Sequence, residues 1–158
     1  MVNSPNNPTG VVYSRQTLEG LAELLRRKST QFGHPIYLIA DEPYRELVYD
    51  GVEVPFLPTI YPNTLVCYSY SKSLSLPGER IGYVCVPSCV ESQADVLHAV
   101  AGAARSSGHV CPPTLVQLAL QRCADARPDL AAYDANRRLL YREPVSYTHL
   151  RAHETPEH

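Results

Sequence analysis

Three short unbroken apolar runs stand out along the chain: residues 36–40 (IYLIA), 64–68 (TLVCY) and 81–86 (IGYVCV). Continuous rather than alternating apolarity predicts strands buried on both faces, as in α/β proteins. Between them the spacing changes to that of helices. Leu18, Leu21, Leu24 and Leu25 share one face of a helix that Ser14 caps and that Gly33 with Pro35 stops. The trio Arg26-Arg27-Lys28 suits the end of that helix and reads as a solvated face. Residues 91–107 and 114–125 also have helical spacing, with Val96, Val100 and Ala103 on one face of the first. A last helix is expected over 128–142, opened by Pro128 and carrying Leu130, Tyr133, Leu139 and Leu140. Residues 3–10 (NSPNNPTG) are turn chemistry, with Pro8 fixing φ and Gly10 freeing the exit. Strand, helix, strand, strand, helices is the order of an α/β sheet with helical cover.

Composition narrows the function classes. With 158 residues, 44% apolar and 19% charged, the chain can build one domain with a real core. A net charge of −2 and no basic cluster beyond the trio give no footing for nucleic acid. No apolar run approaches the roughly 20 residues a membrane helix needs, and MVNSPNNPTG is not a signal peptide. Five cysteines in mostly apolar settings, with no C-x-x-C pair, predict reduced, buried thiols in a cytoplasmic protein. A zinc site at Cys85, Cys89 and a histidine is set aside, so no metal is expected. The chain opens where a core strand should be ending, which reads as a fragment. Residues 144–158, with three of the six histidines, show neither helical nor strand period. They resemble a stretch that recurs at the ends of unrelated translated assemblies, and are read as a non-native tail.

The stretch SYSKSLSLPGERIGY (residues 69–83) concentrates the candidate chemistry. Lysine is not the default cation here, because only Lys28 and Lys72 stand among 14 cationic residues. Lys72 follows an apolar run in a segment with little other charge. A lysine partly removed from water has a depressed pKa and becomes a nucleophile toward carbonyls. Arg80 offers a planar fork for a dianion, and Ser69 and Ser71 add hydroxyls. Asp41 ends its apolar run at what would be the carboxyl edge of a strand, where open α/β sheets bind ligands. Tyr44 and Asn7 can face the same crevice. The bland alternatives are a salt bridge for Arg80, a helix cap for Asp41, packing for Tyr44 and a turn for Asn7. Ser69-Tyr-Ser-Lys72 also fits S-x-x-K, but the serine–lysine hydrolases need K-T-G and S-D-N elements, which this chain lacks.

In that order and spacing, NSPNNPTG, ADEPYREL and SYSKSLSLPGERIGY resemble the class I/II aminotransferases, fold-type I enzymes of pyridoxal 5′-phosphate, over about residues 2–143. The resemblance implies part of a mixed, mostly parallel sheet with helices on both faces, truncated at both ends. Residues 1–127 would be part of the cofactor domain and 128–143 the start of a connector helix to a C-terminal small domain. It implies that Lys72 carries the cofactor as a Schiff base, that Asp41 pairs with the pyridine nitrogen, and that Asn7 and Tyr44 bind the phenolic oxygen. Ser69 and Arg80 would bind the phosphate. The implied reaction moves an amino group from an amino acid to a 2-oxo acid, in a homodimer when full length, with the fragment itself inactive. A carbon–sulfur lyase and a regulator with an aminotransferase-like sensor domain are the rival outcomes on the same residues.

Overall fold

Four strands form one sheet in the order β1 (Val2–Asn3), β2 (Leu38–Asp41), β3 (Thr64–Ser69), β4 (Gly82–Cys85). The first three run parallel, and β4 returns antiparallel to β3. The computed structural model describes residues 1–151, and side chains through residue 142. They fall into two compact units, Met1–Arg127 and a second that begins at Pro128. The register sets Asn3 beside Asp41 and Asp41 beside Cys67, so the carboxyl ends of three parallel strands make one row. Ser69 at the end of β3 lies opposite Gly82. Asn7, Asp41, Tyr44, Ser69 and Lys72 are built on or just after this edge, and Arg80 lies in the loop that leads into β4.

Helix α1 (Arg15–Phe32) joins β1 to β2 and forms as its sequence dictates. Ser14 Oγ accepts from the Thr17 N–H at 3.1 Å, satisfying one of the free donors of the first turn. At the other end Gly33 adopts φ 72°, and its N–H donates to the Ser29 carbonyl at 2.9 Å. Leu18 and Ala22 pack into a core with Leu38, Ala40, Leu57, Ile60, Tyr61 and Val66, flanked by Leu21 and Leu25. Burying each such aliphatic side chain stabilises the fold by about 2 kcal/mol. Leu24, expected on this face, is 40% exposed because the buried stripe follows Leu18, Ala22 and Leu25 instead. Nor is Arg26 merely solvated. Its guanidinium donates to the Ile60 carbonyl at 2.6 Å and lies over the Tyr61 ring, tying the helix to the 3₁₀ turn at Leu57–Thr59.

Burial on both faces is found only over the first half of β3, where Thr64, Leu65 and Val66 are all buried. In β2 burial alternates: Leu38 and Ala40 face the core while Ile39 is 39% exposed. All of β4, an edge strand, is exposed. The expected buried thiols follow the same correction. Cys85 lies on the open edge strand, Cys89, Cys111 and Cys123 are exposed in the segments after it, and only Cys67 is half-buried.

Helix α2 (Tyr70–Ser73) is a single turn directly after β3. Helices α3 (Gln93–Ser106) and α4 (Thr114–Arg122) contribute no buried residue, although Gln93, Val96, Val100 and Ala104 are the half-covered positions of α3. In the second unit, α5 (Leu130–Arg151) continues through 144–151, where the residue pattern shows no helical period. Its first turns are held by Asp134, which accepts from Arg137 at 2.8 Å and Arg138 at 2.7 Å. Residues 152–158 of the expected tail lie outside the described residues.

Candidate active site

The turn after β1 is organised by one side-chain amide. Asn3 Nδ2 donates to the Asp41 carbonyl at 3.0 Å and to Asp41 Oδ2 at 3.1 Å. Asn3 Oδ1 accepts from the Asn7 N–H at 2.9 Å and from Asn6 Nδ2 at 3.2 Å. Gly10 completes the turn at φ 70°, with its N–H on the Asn6 carbonyl at 2.8 Å. So fixed, Asn7 directs its Nδ2 to the Tyr44 hydroxyl at 2.9 Å. Tyr44 sits in the turn after β2, which is anchored from behind. Glu42 is 2% exposed and receives Arg45 Nη1 at 2.9 Å, and Arg45 also donates to the Val54 carbonyl at 3.0 Å. Burial pushes the Glu42 carboxyl up from its ordinary range, and the Arg45 charge opposes that shift.

Lys72 comes to this cluster from β3. Ser69 caps the α2 turn, its Oγ accepting from the Ser71 N–H at 3.3 Å, and Lys72 lies half-buried within that turn. Its Nζ stands 5.7 Å from the centroid of the Tyr44 ring, a cation–π separation. The turn is braced by Tyr68, whose hydroxyl donates to Ser73 Oγ at 2.7 Å. The Tyr68 ring is held between Tyr70, edge-on at 5.3 Å, and Tyr83, stacked at 5.2 Å. Burial pushes the Tyr68 phenol up to about 12, against the Ser73 hydrogen bond. Close strand approach is needed here too: a Cβ on Gly82 would collide with the Tyr68 carbonyl oxygen. Burial likewise raises the Cys67 thiol, with the neighbouring Asp41 charge adding to the shift.

Four of the six sequence-derived residues therefore join one connected cluster: Asn7, Tyr44 and Lys72 by direct contact, and Asp41 through Asn3. Ser69 shapes the lysine turn. Arg80, at φ 51° in the return loop, is exposed and donates from Nη1 to the Pro77 carbonyl at 2.9 Å. The sequence reading missed Asn3 and the Glu42–Arg45 pair. Asn3 becomes visible only when β1 is paired in register with β2, whereas the i, i+3 spacing of Glu42 and Arg45 was legible as an ion pair.

The sequence matches the family described as aminotransferase class I and II over residues 1–151. It is 36% identical over 146 residues to the probable aspartate/prephenate aminotransferase of Thermus aquaticus, covering 90% of this chain and 34% of that protein. Among solved structures, an aminotransferase from Eubacterium rectale superposes with a TM-score of 0.85 at 58% identity, covering 89% of this chain and 35% of the other. A PLP-dependent aminotransferase from Streptococcus suis superposes with a TM-score of 0.57 at 29% identity, covering 98% and 36%. The chain thus spans about a third of the length of the relatives it matches. With its mixed sheet, its edge-mounted lysine turn and this match across nearly its whole length, the chain belongs to the class I and II aminotransferases.

Proposed function

We propose that the protein is a pyridoxal phosphate-dependent aminotransferase, transferring an amino group from an amino acid to a 2-oxo acid, with Lys72 as its Schiff-base lysine. The observation that carries this reading is the contact of three groups. Asn7 Nδ2 lies on the Tyr44 hydroxyl at 2.9 Å, and Lys72 Nζ lies over the Tyr44 ring. The donor set fits the cofactor group by group. An amine suits its aldehyde, the phenol–amide pair its phenolic oxygen, and a carboxylate its ring nitrogen. A hydroxyl with a guanidinium suits its phosphate dianion. On this reading Lys72, Asn7 with Tyr44, Asp41, and Ser69 with Arg80 hold those four parts in turn. Relatives named as aminotransferases support the aminotransferase reading.

When bound, the cofactor supplies an electron sink for the carbanion at the substrate's α-carbon. The protein's part is binding, orientation and proton movement. Asp41, which Asn3 holds by two hydrogen bonds, would keep the ring nitrogen protonated, and Tyr44 with Asn7 would bind the phenolic oxygen. With the cofactor bound, Lys72 Nζ would be the amine placed to act as general base toward the substrate's α-proton. Working as a homodimer in the cytoplasm, the enzyme releases one 2-oxo acid before it binds the next, so parallel lines are expected in double-reciprocal plots. Incubation of the intact protein with amino acids and 2-oxoglutarate is expected to form glutamate. Release of ammonia and pyruvate without glutamate would contradict transfer and favour the carbon–sulfur lyase.

A further inference from the structure

We infer that Asn3 is a positioning residue that couples the two polar contacts to the cofactor ring, holding Asp41 for the ring nitrogen and Asn7 for the phenolic oxygen. This rests on the cofactor assignment proposed above and adds a residue to it. A side-chain amide offers two N–H donors and a carbonyl with two lone pairs. Asn3 uses all four: both donations end on Asp41, and both lone pairs are filled from the Asn6–Asn7 turn. The two halves lie 38 and at most four residues away in sequence, so one amide joins side chains and backbone from both.

The chemistry restricts what can replace it. An aspartate would keep the acceptors but set a second carboxylate against Asp41, and an aliphatic residue would leave Asp41 Oδ2 and the Asn7 N–H without these partners. A serine hydroxyl has one donor, so it serves Asp41 while leaving the pair of donations incomplete. The placement follows from the register, since Asn3 and Asp41 are ladder partners at the last paired position of β1 and β2. Rotation of the Asp41 carboxylate and displacement of the Asn7 turn are therefore opposed by the same group. A residue that merely stabilised the turn would act on Asn7 alone.

The test is a double-mutant cycle on pyridoxal phosphate binding to the intact protein, with ¹⁵N NMR of the bound cofactor's ring nitrogen as the second readout. Asn3→Ala is expected to weaken binding about tenfold in the wild-type background, the size of a hydrogen bond to a charged group. In an Asp41→Ala background it is expected to weaken binding less than about threefold, because the carboxylate it orients is already gone and only the backbone and Asn6–Asn7 contacts remain to be lost. The ring nitrogen signal is expected to move toward the unprotonated position in Asn3→Ala and part of the way in Asn3→Ser. The serine variant carries the test if the alanine variant does not fold. Additive losses, or an unmoved ring nitrogen in a folded variant that still binds cofactor, would overturn the inference alone. Failure of the wild-type protein to bind pyridoxal phosphate would overturn the proposed function together with it.

Discussion

Tyr44 receives Asn7 on its hydroxyl and Lys72 on its ring face, so it is the residue on which the cluster closes. Tyr44→Phe keeps the ring and removes the acceptor. Because Asn7 is exposed and water can replace the lost partner, a modest effect is expected, about fivefold in pyridoxal phosphate affinity by absorbance titration. Tyr68 makes a separate prediction in pH. Its phenol is raised from an ordinary 10 to about 12, so the folded state holds this proton more tightly than the unfolded chain. The resulting stability is fully present below pH 10 and is lost as pH rises from 10 to 12. In Tyr68→Phe that segment of the denaturation profile is expected to flatten, and parallel profiles would contradict it. Asp41 and Lys72 stood out because a charged residue just after an apolar run has few chemical reasons to sit there, whereas Asn7 and Tyr44 read equally well as a turn-former and a packing residue. Asn3 was not legible, because its role depends on strand pairing across 38 residues.

At the scale of elements, local chemistry accounts for α1 almost completely. Ser14→Ala is expected to cost about 1 kcal/mol in urea unfolding through loss of the cap. Gly82→Ala tests the β3–β4 pairing that carries the lysine turn. With the Tyr68 carbonyl in the way, a loss of about 2 kcal/mol or more is expected, and a neutral result would mean the strands separate there. The caps and turns were readable because they depend on residues within four positions. Strand burial was not, since an apolar run is equally consistent with one covered face or two. Ile39 and Val84 are apolar for a reason that no neighbour in sequence supplies. The helix through 144–151 was missed because it has no apolar period to reveal it.

For the molecule as a whole, the sheet order and the ladder row Asn3, Asp41 and Cys67 decide where chemistry is possible. The same molecule leaves Ile39, Tyr83, Val84, Leu115 and Leu118 exposed. The 158-residue chain alone is expected to bind a hydrophobic dye and to self-associate with rising concentration, measured by fluorescence and light scattering. The central claim, however, rests on one amine. Borohydride treatment of the intact protein loaded with pyridoxal phosphate, followed by peptide mass mapping, reads it directly. The expected result is a stable phosphopyridoxyl mass on the peptide containing Lys72, absent from Lys72→Ala. Label on Lys28, or no label on a folded and saturated protein, would contradict it.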